Sequence, residues 1–223
     1  MQRFICEQNI AHFQKLLAQA TDPALRRTLD GLLLSARRNL ALLESILSGA
    51  DGSPIEARRR RHGDADAIKQ QFQPEFESSS HPYMLLDPAP GLHIVDINDA
   101  YAQVTFTSRN DVVGRSLFEI FPDNPDDELA DGVSNLYASL RTVVKTGQPH
   151  VMAIQRYDIR DPQGEFIERH WQPINSPIHD QNGILIFILH SVEDVTAEVL
   201  SSPDRVHAIP TPAAMRGHEP HRD

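Results

Sequence analysis

Apolar positions between residues 3 and 48 recur at helical spacing. Cys6, Ile10, Phe13 and Leu17 follow one another by four, three and four residues. Leu25, Leu29, Leu32, Ala36, Leu40, Leu43 and Leu47 make a second stripe of similar period. Between the stripes, Asp22 can cap the next helix with Pro23 at its first position, and Gly49 can end it. The pattern predicts a helical hairpin over residues 1–49. One hairpin cannot bury its apolar stripe alone, so it must dock on the main domain or on a second copy of itself.

The period then changes. Residues 50–66 (ADGSPIEARRRRHGDAD) read as a linker, with Arg58–Arg61 as a solvated spacer. Ile68, Phe72 and Phe76 suit a short helix. Tyr83–Asp87 and Leu92–Asn98 read as two strands joined across Pro88-Ala89-Pro90-Gly91. Short helical pieces follow over 99–122, then a longer helix over 127–146 with Val133, Leu136, Tyr137, Leu140 and Val144 on one face and Gly147 as its stop. Three strands close the pattern at about His150–Ile159, Phe166–Ile174 and Ile184–Val195. Asp161-Pro162-Gln163-Gly164 and Asp180-Gln181-Asn182-Gly183 make the turns between them.

Strand, strand, helices and three strands make an α+β domain over 67–197, a five-stranded antiparallel sheet with helices on one face. The last strand, ILIFIL, is apolar at consecutive positions, as a strand covered on both faces is. Residues 99–146 supply one cover. The hairpin or a partner subunit is expected to supply the other. Residues 198–223, dominated by Pro, His and charge, are expected to be a disordered tail.

Charge is uneven along the chain. Residues 1–62 hold ten Lys and Arg against six Asp and Glu, while the remainder holds 11 against 25. An acidic body argues against nucleic-acid binding. No apolar run is long enough to cross a bilayer, no secretory signal is evident, and the single Cys6 excludes an internal disulfide. A cytoplasmic protein without a membrane partner is the simplest expectation.

HPYMLLDP, IVDINDAYAQVT, VVGRSLFEIFPDNPDD, ADGVSNLYASLRTVVKTGQPH, AIQRYDIR, ERHWQPINSPI and ILHSVEDVT together resemble a PAS domain, of the kind that serves as sensor input to bacterial histidine kinases. The resemblance covers about residues 68–197. It implies the PAS fold and a role in sensing or protein contact rather than a particular ligand. It also implies that any output passes through a homodimer or a separate signalling protein such as a histidine kinase, since no kinase or DNA-binding signature follows. A cofactor-bearing flavin or haem sensor of redox, gas or light is the alternative. No cofactor is expected, because Cys6 lies far from the domain in sequence and the long helix carries no His.

No catalytic constellation stands out, so no enzyme is expected, and no metal site either. His170 and His190 could face each other across the last two strands, but two His without a third ligand make a weak site. His12 and His150 read as an exposed helix residue and a strand-edge residue. The acidic stretch FEIFPDNPDDELADGV lacks the spacing of a calcium loop, and Asp126 or Asp127 suits the cap of the long helix. What remains is a small-molecule pocket between the sheet and residues 99–146. Its expected lining is Asn98, Tyr101, Leu136, Tyr137, Leu140, Met152, Ile154, Arg156, His170, Trp171, Ile188 and His190, residue types that a packed core also uses.

Overall fold

A computed structural model describes residues 1–50 and 55–201. Helix α1 (Gln2–Gln19) and helix α2 (Pro23–Ser48) form the hairpin. Asp22 caps α2, its carboxylate accepting from Leu25 N–H at 2.8 Å, with Pro23 at the first position. Cys6, Ile10, Phe13 and Leu17 are all partly covered against α2. The stripe of α2 is different from the expected one. Leu29, Leu33, Ala36, Ala41 and Ser45 are buried, while Leu25, Leu32 and Leu47 stand largely exposed. The reason is that α2 has neighbours on two sides, α1 and the main domain, so its buried line follows both contacts.

Helix α3 runs Ile55–Ser78. The expected linker is therefore helical from Ile55, and Arg58–Arg61 falls within that helix; residues 51–54 lie outside the described residues. The segment is rich in Ala, Arg, Glu, Gln and Lys and has no proline before Pro74, which favours the longer element despite Gly63. Strands β1 (Tyr83–Leu86) and β2 (Ile94–Ile97) form the first hairpin. Short helices α4 (Asp99–Thr105), α5 (Arg109–Val112) and α6 (Leu117–Ile120) lead to the long helix α7 (Gly132–Thr146), which ends at Gly147 in the left-handed conformation.

The remaining strands are β3 (His150–Val151), β4 (Gln155–Arg156), β5 (Ile159–Arg160), β6 (Phe166–Ile167), β7 (His170–His179) and β8 (Leu185–Asp194). The main antiparallel sheet has the order β2-β1-β8-β7-β3, with β4 also paired to β7, while β5 and β6 form a small ribbon. The turns at Asp161 and Asp180 form as expected, each aspartate accepting backbone N–H groups of its own turn. A last helix, α8 (Thr196–Ser201), occupies the start of the expected tail, and residues 202–223 lie outside the described residues.

The sheet is covered on both faces. Helices α4–α7 lie on the inner face, over Met84, Leu86, Ile94, Ile97, Ile188 and Val192. The outer face is covered by α3, not by the hairpin or a partner. Phe76, Phe72 and Ile68 pack there on Leu85, Ile186 and Phe187. An ion network seals that seam: buried Asp96 of β2 meets Lys69 of α3 at 2.9 Å and Arg109 of α5 at 3.0 Å, and Arg109 reaches Glu77 of α3 at 2.7 Å.

The hairpin docks instead on the back of α7. Tyr137 donates its hydroxyl to Gly49 O at 3.0 Å, and Arg141 pairs with Glu44 at 2.9 Å. At the end of α2, Gly91 N–H donates to Ser45 O and Ala50 N–H to Pro88 O. Gly49 holds φ at 62°, and a Cβ there would stand 2.3 Å from the backbone of Pro88 and Ala89, so only glycine permits this approach.

Candidate functional site

A cavity of about 50 Å³ lies between the inner face of the sheet and helices α4, α6 and α7. Tyr101 and Thr105 come from α4, Leu117 from α6, and Phe121 from the turn after it. Gly132 and Leu136 come from α7. Met152, Gln155, Tyr157 and Ile159 come from the segment running from β3 to β5, Trp171 and Pro173 from β7, and His190 and Val192 from β8. Gly132 is the close contact of this wall, since a Cβ there would lie 2.1 Å from the Tyr157 ring.

Most polar groups on the walls are engaged with the protein. Tyr157 donates its hydroxyl to Phe121 O, and Trp171 Nε1 donates to Tyr157 O at 2.9 Å. Gln155 accepts from Asn135 Nδ2 at 2.8 Å, and Thr105 donates to Tyr101 O at 2.7 Å. His190 is bonded through Nδ1 to Asn175 Oδ1 at 2.8 Å. Asn175 Nδ2 donates to Ser139 Oγ at 2.7 Å, and Ser139 Oγ lies 2.7 Å from His150 Nδ1. Asn175 pairs with His190 on one side and with His150 on the other in the strand register. A row of polar side chains thus crosses the apolar inner face, bridged by Ser139 of α7. Burial lowers the His190 pKa to about 4, which holds the imidazole neutral near pH 7, and burial raises the hydroxyls of Tyr101 and Tyr157 above the usual tyrosine range.

Of the residues expected at the pocket, Tyr101, Leu136, Met152, Trp171 and His190 are brought together on these walls. The others lie elsewhere. Asn98 is a structural knot, accepting from Tyr83 N–H and Tyr101 N–H and donating to Phe76 O, Ser79 O and His81 O. Tyr137 faces the hairpin, and Leu140 and Ile188 are fully buried core. Ile154 is 39% exposed, and Arg156 points to Asp127, Asp158 and Glu168 outside the cavity. His170 does not face His190: its neighbour across β8 is beyond Asp194, and its Nδ1 lies 3.8 Å from Glu168.

A bulge explains the departures on the edge. β3 pairs Val151 with Ile174, and β4 pairs Gln155 with Trp171, so three residues stand opposite two. Beyond the bulge every side chain changes face. Gln155, Tyr157 and Ile159 turn inward, where strict alternation from Met152 would have placed Ile154 and Arg156. Pro173 lies opposite the bulge and brings no N–H to the ladder. That proline was the signal in the sequence. Pro173 and Val192 themselves were legible as the same-face neighbours of Trp171 and His190.

The acidic stretch before α7 does a structural job. α7 begins at Gly132, five residues later than expected, and neither Asp126 nor Asp127 caps it. Asp123 does so from outside the helix, Oδ1 accepting from Val133 N–H at 2.9 Å. Asn124 and Asp127 close tight turns on their own downstream N–H groups and so delay the helix. Asp123 Oδ2 lies 3.6 Å from Arg38 of α2, so one buried carboxylate ties the hairpin to the start of α7. Burial pushes this carboxyl above the usual range, against the opposing pull of Val133 N–H and Arg38. Among the described residues, no three His, Cys, Asp or Glu side chains are placed to hold a metal, and no helix is long and apolar enough to cross a membrane.

The fold is an antiparallel sheet with helices on both faces and a small, largely apolar cavity on its inner face. A family model described as the PAS fold matches residues 76–200, more than half of the chain, and the chain belongs to that family. Similar solved structures include the PAS domain from Bordetella pertussis BvgS, at 19% identity and a TM-score of 0.45, covering 62% of this chain and 94% of that one. The PAS domain of a protein from Colwellia psychrerythraea aligns at 15% identity and 0.44, covering 58% and 98%. The Rhodobacter sphaeroides LOV protein aligns at 15% and 0.44, covering 64% and 71%. The search of curated proteins finds no match. The assignment rests on the match over residues 76–200.

The alternative of haem or flavin can be tested on the walls. About 50 Å³ is well below the ~300–1,000 Å³ of ordinary ligand and cofactor sites, so neither a porphyrin nor an isoalloxazine fits the cavity as shaped. Cys6 lies on α1 and His150 is bonded to Ser139, and neither is on the cavity wall.

Proposed function

We propose that the chain is a sensor module in which a small molecule occupies the inner cavity and α7 passes that occupancy to the α1–α2 hairpin. The observation that carries this reading is the double use of α7. Gly132 and Leu136 line the cavity, while Tyr137 and Arg141, four residues apart on another face of the helix, hold α2. Asp123 adds a second link, capping α7 with one oxygen and pairing with Arg38 through the other. A shift of α7 on ligand binding therefore strains the hairpin seat directly.

The output in this reading is protein contact. Phe4, Ile5, Leu32, Ile46 and Leu47 stand exposed on the hairpin and support a homodimer formed through it, or contact with a separate signalling protein such as a histidine kinase. A soluble location in the cytoplasm goes with that role. No catalysis is assigned.

Native mass spectrometry tests the reading. The full chain is mixed with a small-molecule extract of cells, beside a Leu136→Trp variant whose indole fills the cavity. The wild type is expected to retain a small molecule that the variant excludes. A wild type that retains nothing, or a variant that retains as much, contradicts it. Light scattering tests the dimer, which a monomer at micromolar concentration would rule out.

A further inference from the structure

We propose that the cavity selects a small neutral ligand carrying an N–H or O–H donor, which it gives to Nε2 of His190. The inference rests on the sensor reading above and names the ligand chemistry of the same cavity.

The polarity of the buried row sets the chemistry. Asn175 Nδ2 has two acceptors within reach, Ser139 Oγ at 2.7 Å and Met152 Sδ at 3.5 Å, which places the amide nitrogen on that side. The amide oxygen is then the partner of His190 Nδ1, at 2.8 Å. A carbonyl oxygen only accepts, so Nδ1 carries the hydrogen. Burial keeps this imidazole neutral. A neutral imidazole protonated at Nδ1 presents a bare lone pair at Nε2. Ser139 Oγ, accepting from Asn175, also lies 2.7 Å from His150 Nδ1, so the row continues from β8 to the sheet edge.

With the other wall groups satisfied, His190 Nε2 and the Tyr101 hydroxyl are the polar atoms left without a partner among the described residues. The two rings lie edge to face, 6.2 Å between centroids. One offers an acceptor and the other a hydroxyl that can donate. The rest of the lining is apolar or already satisfied, and no Lys, Arg, Asp or Glu is among it. A charged ligand would lose its hydration with no counter-charge to replace it. A volume of about 50 Å³ limits the buried part to ~3–5 water-sized atoms. The fit is a small uncharged ring or chain with one donor, and an acceptor beside it suits Tyr101.

Pyrazole and isoxazole make the test. Both are neutral five-membered rings with a ring nitrogen acceptor, and only pyrazole has an N–H. The full wild-type chain is titrated by NMR with each, and with acetate and methylammonium, following the Met152 methyl and the Trp171 indole N–H. Pyrazole is expected to bind about tenfold more tightly than isoxazole, the effect of one buried acceptor left unpaired. The two ions are expected to leave both signals in place. The preference is expected to vanish in His190→Phe. Isoxazole binding as tightly as pyrazole, or acetate binding best, overturns the donor preference and leaves a ligand-binding cavity standing. If none of the four moves either signal, both the preference and the sensor reading of this cavity fall.

Discussion

The two faces of the sheet are finished in opposite ways. The outer face, under α3, is closed: Phe76 is 1% exposed and Leu85 2%, and the charges at the seam are paired with one another. The inner face, under α4–α7, buries more residues but gives one row of them to His190, Asn175 and Ser139 and leaves a cavity beside that row. A buried polar row contributes less to stability than apolar side chains of similar volume, because its groups give up water to make it. Evenly built faces would have been a plain core. The asymmetry makes α3 a structural clamp and leaves the inner face to the proposed ligand site.

Truncating the clamp is the strongest way to probe this difference. Phe76→Ala is expected to cost about 3–5 kcal/mol in urea unfolding, the range for a fully buried aromatic. A cost under about 1 kcal/mol would mean that α3 is only loosely seated and that the contrast is wrong.

The inner face should instead reveal itself through pH. The His190 pKa is about 4 in the folded chain, against 6.5 for an unperturbed histidine, so the unfolded state binds the extra proton between those values. Stability is complete above pH 6.5 and falls as pH drops toward 4, by roughly 3 kcal/mol for this residue. His190→Gln should remove that part of the slope, measured by urea unfolding at about pH 7, 5.5 and 4.5. An identical slope in the variant would refute the buried neutral imidazole.

A smaller loss is expected at the outer seam from Asp96→Asn, about 1–3 kcal/mol, since Lys69 and Arg109 keep some access to water when their shared carboxylate goes. Raising salt should leave most of it in place, because Asp96 is buried. The smallest effect is expected at the hairpin seat. Tyr137→Phe removes one hydroxyl bond to Gly49 O and should cost about 1 kcal/mol, with faster amide exchange confined to the end of α2.

Much of this architecture could be read from side-chain period. The hairpin helices, the first two strands, the last strand and the turns at Asp161 and Asp180 follow directly from spacing, caps and Asx turns, whereas the expected strand Phe166–Ile174 divides between β6 and a β7 that runs on to His179. Three features were hidden for physical reasons. The outer cover is α3 because its Ile68–Phe72–Phe76 face continues from a polar helical run, and polarity alone made that run look like a linker. The start of α7 is delayed because Asn124 and Asp127 bond their own backbone, which competes with helix formation. The cavity wall departs from strict alternation beyond Met152 because a single bulge opposite Pro173 reverses it, bringing in Gln155 and Tyr157 and putting out Ile154 and Arg156. Tyr101, Trp171 and His190 sit in regular elements, where alternation and helical period hold, and line the cavity as expected from them.

Amide hydrogen exchange of the wild type and Leu136→Trp, followed in α2 and α3 together, tests most directly whether the inner face is wired to the hairpin. Filling the cavity should change exchange over residues 38–50 at the end of α2, through α7, and leave residues 65–78 of α3 as they were. Unchanged exchange in α2, or an equal change in α3, would contradict the account.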